Sequence, residues 1–96
     1  MSKGYIVVVY ESINDDNVLN EYAIKAKIAV EKYGGKFLVR GGKKIITEGR
    51  EFIRTAILEF SSFEIAKEFY HSNDYQAAHK LLKNTVVRSH QIVEGT

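Results

Sequence analysis

The 96-residue chain predicts an α+β fold on one four-stranded antiparallel sheet, and three observations carry that reading. Lys3 to Tyr10 is β-branched and aromatic with no polar alternation, which describes a strand covered on both sides. A helical apolar stripe runs from Val18 to Tyr33 and stops at Gly34-Gly35. Two short helical patterns, broken at Ser72-Asn73-Asp74, then lead into a last alternating segment, Val86 to Glu94.

The first strand has Tyr5, Val7 and Val9 on one face and Ile6, Val8 and Tyr10 on the other, so it belongs at the centre of the sheet. Asp15, Asp16 and Asn17 offer capping oxygens for the helix that follows. Its stripe of Val18, Leu19, Tyr22, Ala23, Ala26, Ala29, Val30 and Tyr33 packs on the sheet, while Ile24 and Ile28 point away. Lys36 to Arg40 is a short strand between two glycine pairs, and alternation groups Phe37 with Val39 and Lys36 with Leu38 and Arg40. Lys43 to Glu48 reads as an extended arm, and Arg50 to Phe60 as the third strand.

Ser61 followed by Glu64 has the capping-box spacing, so a helix starts there with Phe63, Ile65, Ala66, Phe69 and Tyr70 turned inward. It ends near His71, and Tyr75, Ala78, Leu81 and Leu82 continue at helical spacing to Asn84. The last strand sets Arg88, His90, Ile92 and Glu94 opposite Val87, Ser89, Gln91 and Val93. The order is βαββαβ with the second helix split, a ferredoxin-like arrangement. Right-handed crossovers put every helix on one face of the sheet. The other face is too apolar to leave wet, and a second copy of the chain, sheet against sheet, is its simplest cover.

Composition narrows the function classes. With no cysteine there is no disulfide, thiolate site or cysteine nucleophile, which points to the cytoplasm. The run Tyr5 to Tyr10 is too short to span a membrane, and no membrane partner is expected. A net charge of +2 is too mild to imply nucleic acid, and Arg54-Thr55-Ala56-Ile57-Leu58 stands where an RNA-recognition domain carries its aromatic consensus. The charge is uneven, however. Lys36 to Arg54 holds six basic and two acidic residues, a local +4, leaving eight basic and ten acidic, a −2, for the rest. That segment is either a solvated basic hairpin or a lip that attracts an anion.

The motifs Lys3-Gly4-Tyr5-Ile6-Val7-Val8, Glu21-Tyr22, Gly35 through Gly42, Leu58-Glu59-Phe60, Tyr70-x-Ser72-x-x-Tyr75-Gln76 and Val93-Glu94-Gly95 together resemble the family called domain of unknown function 1330. The resemblance spans nearly the whole chain. It implies a place in the dimeric α/β-barrel superfamily, whose ferredoxin-like protomers pair through their sheets. That superfamily includes cofactor-free monooxygenases, isomerases and haem enzymes, so it implies no single activity.

Arg40 is the foremost polar candidate, because a guanidinium on an apolar strand suits capture of a carboxylate or phosphate. The competing reading pairs it with Glu59 or Glu94. Glu59, Tyr70 and Tyr75 complete the candidate ligand-binding set, with Tyr22, Tyr70 and Tyr75 able either to pack in the core or to line a cleft. His90 is the one candidate for acid or base catalysis, against a structural role for a strand histidine. His71 and His79, eight apart, have no metal-ligand spacing, and neither a metal nor any other cofactor is expected. The function expected is a small homodimer binding an anionic or carbonyl-bearing organic molecule between sheet and helices, its enzymatic version being a cofactor-free isomerase or oxygenase. The alternative is a non-catalytic interaction or structural module with a packed interior.

Overall fold

In the computed structural model, which describes residues 2–96, the elements run β1 (Gly4–Ile13), α1 (Asp16–Lys32), β2 (Lys36–Arg40), β3 (Arg54–Phe60), α2 (Phe63–His71), α3 (Asn73–His79) and β4 (Val86–Glu94), with a 3-10 turn at Lys80–Leu82. The four strands form one antiparallel sheet in the order β2-β3-β1-β4. β1 is central, as its two apolar faces require, with Val8 opposite Ala56 on one side and His90 on the other.

Asp15 caps α1 by accepting from the backbone N–H of Asn17 (3.0 Å) and Val18 (3.2 Å). The helix ends in a Schellman motif. Gly34 N–H reaches the Glu31 carbonyl (3.0 Å) and Gly35 N–H the Val30 carbonyl (2.9 Å), with Gly34 at φ +71°, a conformation that glycine adopts without strain. Tyr22, Ala26, Ala29 and Val30 are buried against the sheet, and Ile24 and Ile28 face outward. Ile6, Val8, Ala56, Leu58 and Phe60 supply the sheet side of the core, and Ala66, Phe69, Tyr75, Ala78 and Leu82 close it from the second helical layer. Phe69 packs against both Phe60 (centroids 5.0 Å) and Tyr75 (4.7 Å), which ties the two layers together.

Three local readings are corrected. A β-bulge between Phe37 and Val39 breaks the alternation of β2, so Phe37 pairs with Leu58 and Arg40 with Ala56 on the helix side, while Val39 pairs with Ile57 on the bare side. β3 begins at Arg54 rather than Arg50, because residues 41–53 form an irregular arm whose ladder contact is Ile53 N–H to the Tyr10 carbonyl (2.9 Å). The cap of α2 is Ser62, whose hydroxyl accepts from Ile65 N–H (3.1 Å), and the Ser61–Glu64 spacing is not used.

With the helices on one face, the other carries Val7, Val9, Thr55 and Ile57, flanked by Val39, Val87 and Val93, of which Val87 is 52% and Val93 41% exposed. Among the described residues, no helix is long and apolar enough to cross a membrane.

Candidate functional site

Between α1 and the helix-facing side of the sheet lies a cavity of about 100 Å³. Its walls are mostly apolar, from Ile6, Val8, Leu19, Ala26, Phe37 and Leu58. Its polar groups are three arginines, Arg40, Arg54 and Arg88, with Tyr10, Tyr22, Tyr75, Asn20 and His90, and no carboxylate lines it.

Arg88 is the centre of this arrangement. β4 directs it to the helix side, where Nη1 donates to Tyr10 Oη (3.1 Å) and, at the long limit of 3.5 Å, to Tyr22 Oη, while Nη2 donates to Tyr75 Oη (3.0 Å). Its Cζ also lies 5.6 Å from the Tyr10 ring centroid and 5.4 Å from that of Tyr22. Burial opposes the charge, but the surrounding phenol oxygens more than offset it, and the pKa of Arg88 is raised. Burial pushes the Tyr75 and Tyr10 hydroxyls up, against the pull of Arg88, so both stay protonated.

A guanidinium has five N–H groups. Three are directed at phenols here, which leaves two. The phenols are 2.8 Å apart at Tyr22 and Tyr75, so that one O–H serves the other oxygen and further O–H groups remain to donate. The cluster is rich in donors and poor in acceptors. It suits an anionic or carbonyl oxygen.

The other arginines approach from β2 and β3. Arg40 stacks on Phe37, its Cζ 4.4 Å from the ring centroid, and the β2 bulge is what brings it to this side. Arg54 lies against Gly41, where a Cβ would come within 2.7 Å of the guanidinium carbon. Gly41 takes φ +68° and donates its N–H to the Thr55 carbonyl (2.9 Å), so the turn after β2 leaves room for the Arg54 side chain.

On the far side of Arg88 and His90 an open groove of about 750 Å³ is lined by Tyr70, His79, Lys80, Leu82, Lys83, Val86 and the same Arg88 and His90. The His90 ring sits 5.1 Å from Tyr70 and 6.3 Å from Tyr75, and His79 stacks on Tyr75 at 5.8 Å and 13°. Burial, then the charge of Arg88, then His79, hold the His90 pKa down at about 4, so its imidazole is neutral at physiological pH. His79 is lowered by burial and then by Arg88.

Arg40, Tyr75 and His90 thus line one cavity, and Tyr70 lies at the adjoining groove. Glu59 does not join them. Its carboxylate is on the opposite face of the sheet, 3.2 Å from Lys3 Nζ, 3.4 Å from Lys36 Nζ and 3.2 Å from Tyr5 Oη. Neither Glu59 nor Glu94 pairs with Arg40. The residue that sequence reasoning passed over is Arg88, and the available signal was its alternation with His90 and Ile92 on the strand face turned to the core. No group of three or more His, Asp or Glu among the described residues could hold a metal ion.

The sheet order and one-sided helices define a ferredoxin-like α+β protein. The chain belongs to the family Domain of unknown function (DUF1330), whose pattern matches residues 3–96. No curated protein matches it. Solved structures share the fold at low identity. A protein of unknown function from Rhodopseudomonas palustris is 14% identical, with a TM-score of 0.74 over 97% of this chain and 80% of its own. A dimeric protein of unknown function and ferredoxin-like fold from Bacteroides fragilis is 19% identical, with a TM-score of 0.62 over 96% and 95% of the two chains. A protein from Caulobacter crescentus, provisionally assigned as an antibiotic biosynthesis monooxygenase, is 11% identical, with a TM-score of 0.64 over 99% and 90%.

Proposed function

We propose that this protein is a cytoplasmic homodimer that binds a small organic acid in the hollow between α1 and the sheet, with Arg88 as the principal anchor and Arg40 and Arg54 as the positive surround. One observation carries the reading: a guanidinium held by three phenols, with no carboxylate among the residues lining its cavity. A structural arginine in such a place is ordinarily paired with an acid, because an unpaired buried charge costs several kcal/mol. The Arg88 donors not directed at phenols favour an anion, and the apolar walls favour a short hydrocarbon or aromatic body. The open hollow supports this reading over a packed interaction module.

The homodimer is supported by the apolar bare face and by the Bacteroides fragilis protein, which is described as dimeric. Sheet-to-sheet pairing would cover Val7, Val9 and Ile57 in both copies at once. The cytoplasmic placement is supported by the absence of cysteine from the sequence. Turnover as a cofactor-free isomerase or oxygenase has a neutral imidazole beside the cavity in its favour and, for the oxygenase, the fold shared with the Caulobacter crescentus protein.

Thermal unfolding in acetate, propionate and benzoate tests the anchor. A ligand at about a hundred times its Kd stabilises by about 2.7 kcal/mol, so the native protein gains several degrees, while Arg88→Met gains none and Arg40→Ala gains less than native. Equal gains in native protein and Arg88→Met retire Arg88 as the anchor, and no gain with any of the three acids overturns the ligand class.

A further inference from the structure

His90 stands beside the anchor, its ring packed near Tyr70 and Tyr75. It follows Arg88 by two residues on the same face of β4, a backbone separation of about 7 Å, and both side chains line the inner cavity and the outer groove. Among the described residues no fully buried side-chain nitrogen is left without a partner, so the His90 ring nitrogens, which make no hydrogen bond to another described residue, are reached by solvent or by a ligand. What surrounds it is either neutral or positive. Tyr70 from α2, Tyr75 and His79 from α3, Lys80 and Lys83 after α3, and Arg40 and Arg54 from β2 and β3 line the two spaces, and Val8 of β1 pairs with it directly. No acid faces it.

We propose that His90 is the second ligand-binding group of the site, taking a proton from solvent when an anion settles against Arg88, so that the protein captures an anion and a proton together. The inference rests on the ligand reading above. In the empty site a second positive charge beside Arg88 is disfavoured by burial and by repulsion, which agrees with an imidazole neutral down to about pH 4. An anion on the two Arg88 donors not directed at phenols reverses both effects. It neutralises Arg88, and it offers the His90 N–H an oxygen to bond. Linkage then requires the reciprocal effect, in which acidification tightens anion binding. The ligand class this selects is an acid with one oxygen for Arg88 and another for His90, such as a carboxylate or sulfonate on a small apolar body.

The test uses benzenesulfonate, whose charge does not change in this pH range, so that any pH dependence belongs to the protein. The histidine Cε1–H resonances of the native protein are followed by NMR from about pH 8 to about pH 5 with and without the probe, and His90→Gln identifies the His90 signal. Without the probe His90 stays near its neutral position across the range. With saturating probe it titrates within the range, and affinity rises by up to about tenfold from pH 7 to pH 5 in the native protein but stays flat in His90→Gln. An unmoved His90 signal, or the same pH dependence in His90→Gln, while Arg88→Met abolishes binding, overturns the inference and leaves the anchor standing. Failure of benzenesulfonate to bind at any pH, or equal binding by Arg88→Met, removes the anchor and this inference with it.

Discussion

Acidification without any ligand probes the same histidine through stability. His90 titrates at about 4 in the folded chain against an ordinary 6.5, so between those values the unfolded chain binds the extra proton. The sign follows directly. The contribution is fully present above pH 6.5 and is lost as pH falls toward 4. The full gap corresponds to about 3 kcal/mol, and the part falling between pH 7 and pH 5 to about 2 kcal/mol. Residual solvent access to the ring reduces that to about 1 to 2 kcal/mol. His79, lowered by burial and Arg88, adds in the same direction. The Glu59 carboxylate is held below the usual range by Lys3 and Lys36 against the effect of desolvation, so it too loses its contribution on acidification, and the His90→Gln comparison is what separates the two. Urea unfolding at fixed protein concentration, at about pH 7 and about pH 5, measures the drop, and His90→Gln should flatten it by at least half. An identical drop in native protein and His90→Gln refutes the placement of a neutral imidazole between Arg88 and the tyrosines.

Two further outcomes test the fold and the assembly. Gly4 is buried where a Cβ would lie 2.7 Å from the Phe63 Cα, a backbone atom that cannot swing aside, so Gly4→Ala should cost about 1–3 kcal/mol in urea unfolding. Ile57→Lys places a charge in the middle of the bare face, opposite Val7 and Val39. If the native protein forms the proposed dimer, light scattering should find the variant monomeric, with an unchanged far-ultraviolet circular dichroism spectrum, and a dimer in both proteins would exclude pairing through this face.

Long periodic features were legible in the sequence because their physics is repetitive. Two apolar faces placed β1 at the centre, one stripe placed α1, and the capping side chains at Asp15 and Ser72 marked where helices begin. The features that were hidden rest on one residue or on distant partners. A bulge at Leu38 has no compositional signature, since any residue fits an edge strand with an irregular pair, and so the face of Arg40 was unreadable. Ser61 and Ser62 are chemically equivalent as caps, and only the approach of the chain from β3 selects between them. The place of Arg88 at the centre of the cavity became visible only when Tyr10, Tyr22 and Tyr75, from three separate elements, were brought around it. Glu59 lost its place in the candidate set for the converse reason, since Lys3 and Lys36 meet it on the far face.

The junction at Ser72 ties backbone geometry to the tyrosine cluster. Its hydroxyl donates to the Phe69 carbonyl (2.6 Å) and accepts from the Tyr75 N–H (3.1 Å), while the Gln76 side-chain amide reaches back to the Tyr70 carbonyl (2.6 Å). These bonds join, at an elbow, two short helices neither of which is long enough to persist alone. Tyr75 lies in the first turn beyond that elbow, so the Ser72 cap holds the backbone from which its hydroxyl reaches Tyr22 and Arg88. Ser72→Ala would remove both bonds at the elbow, while Phe69, Tyr70 and Tyr22 would still pack the Tyr75 ring.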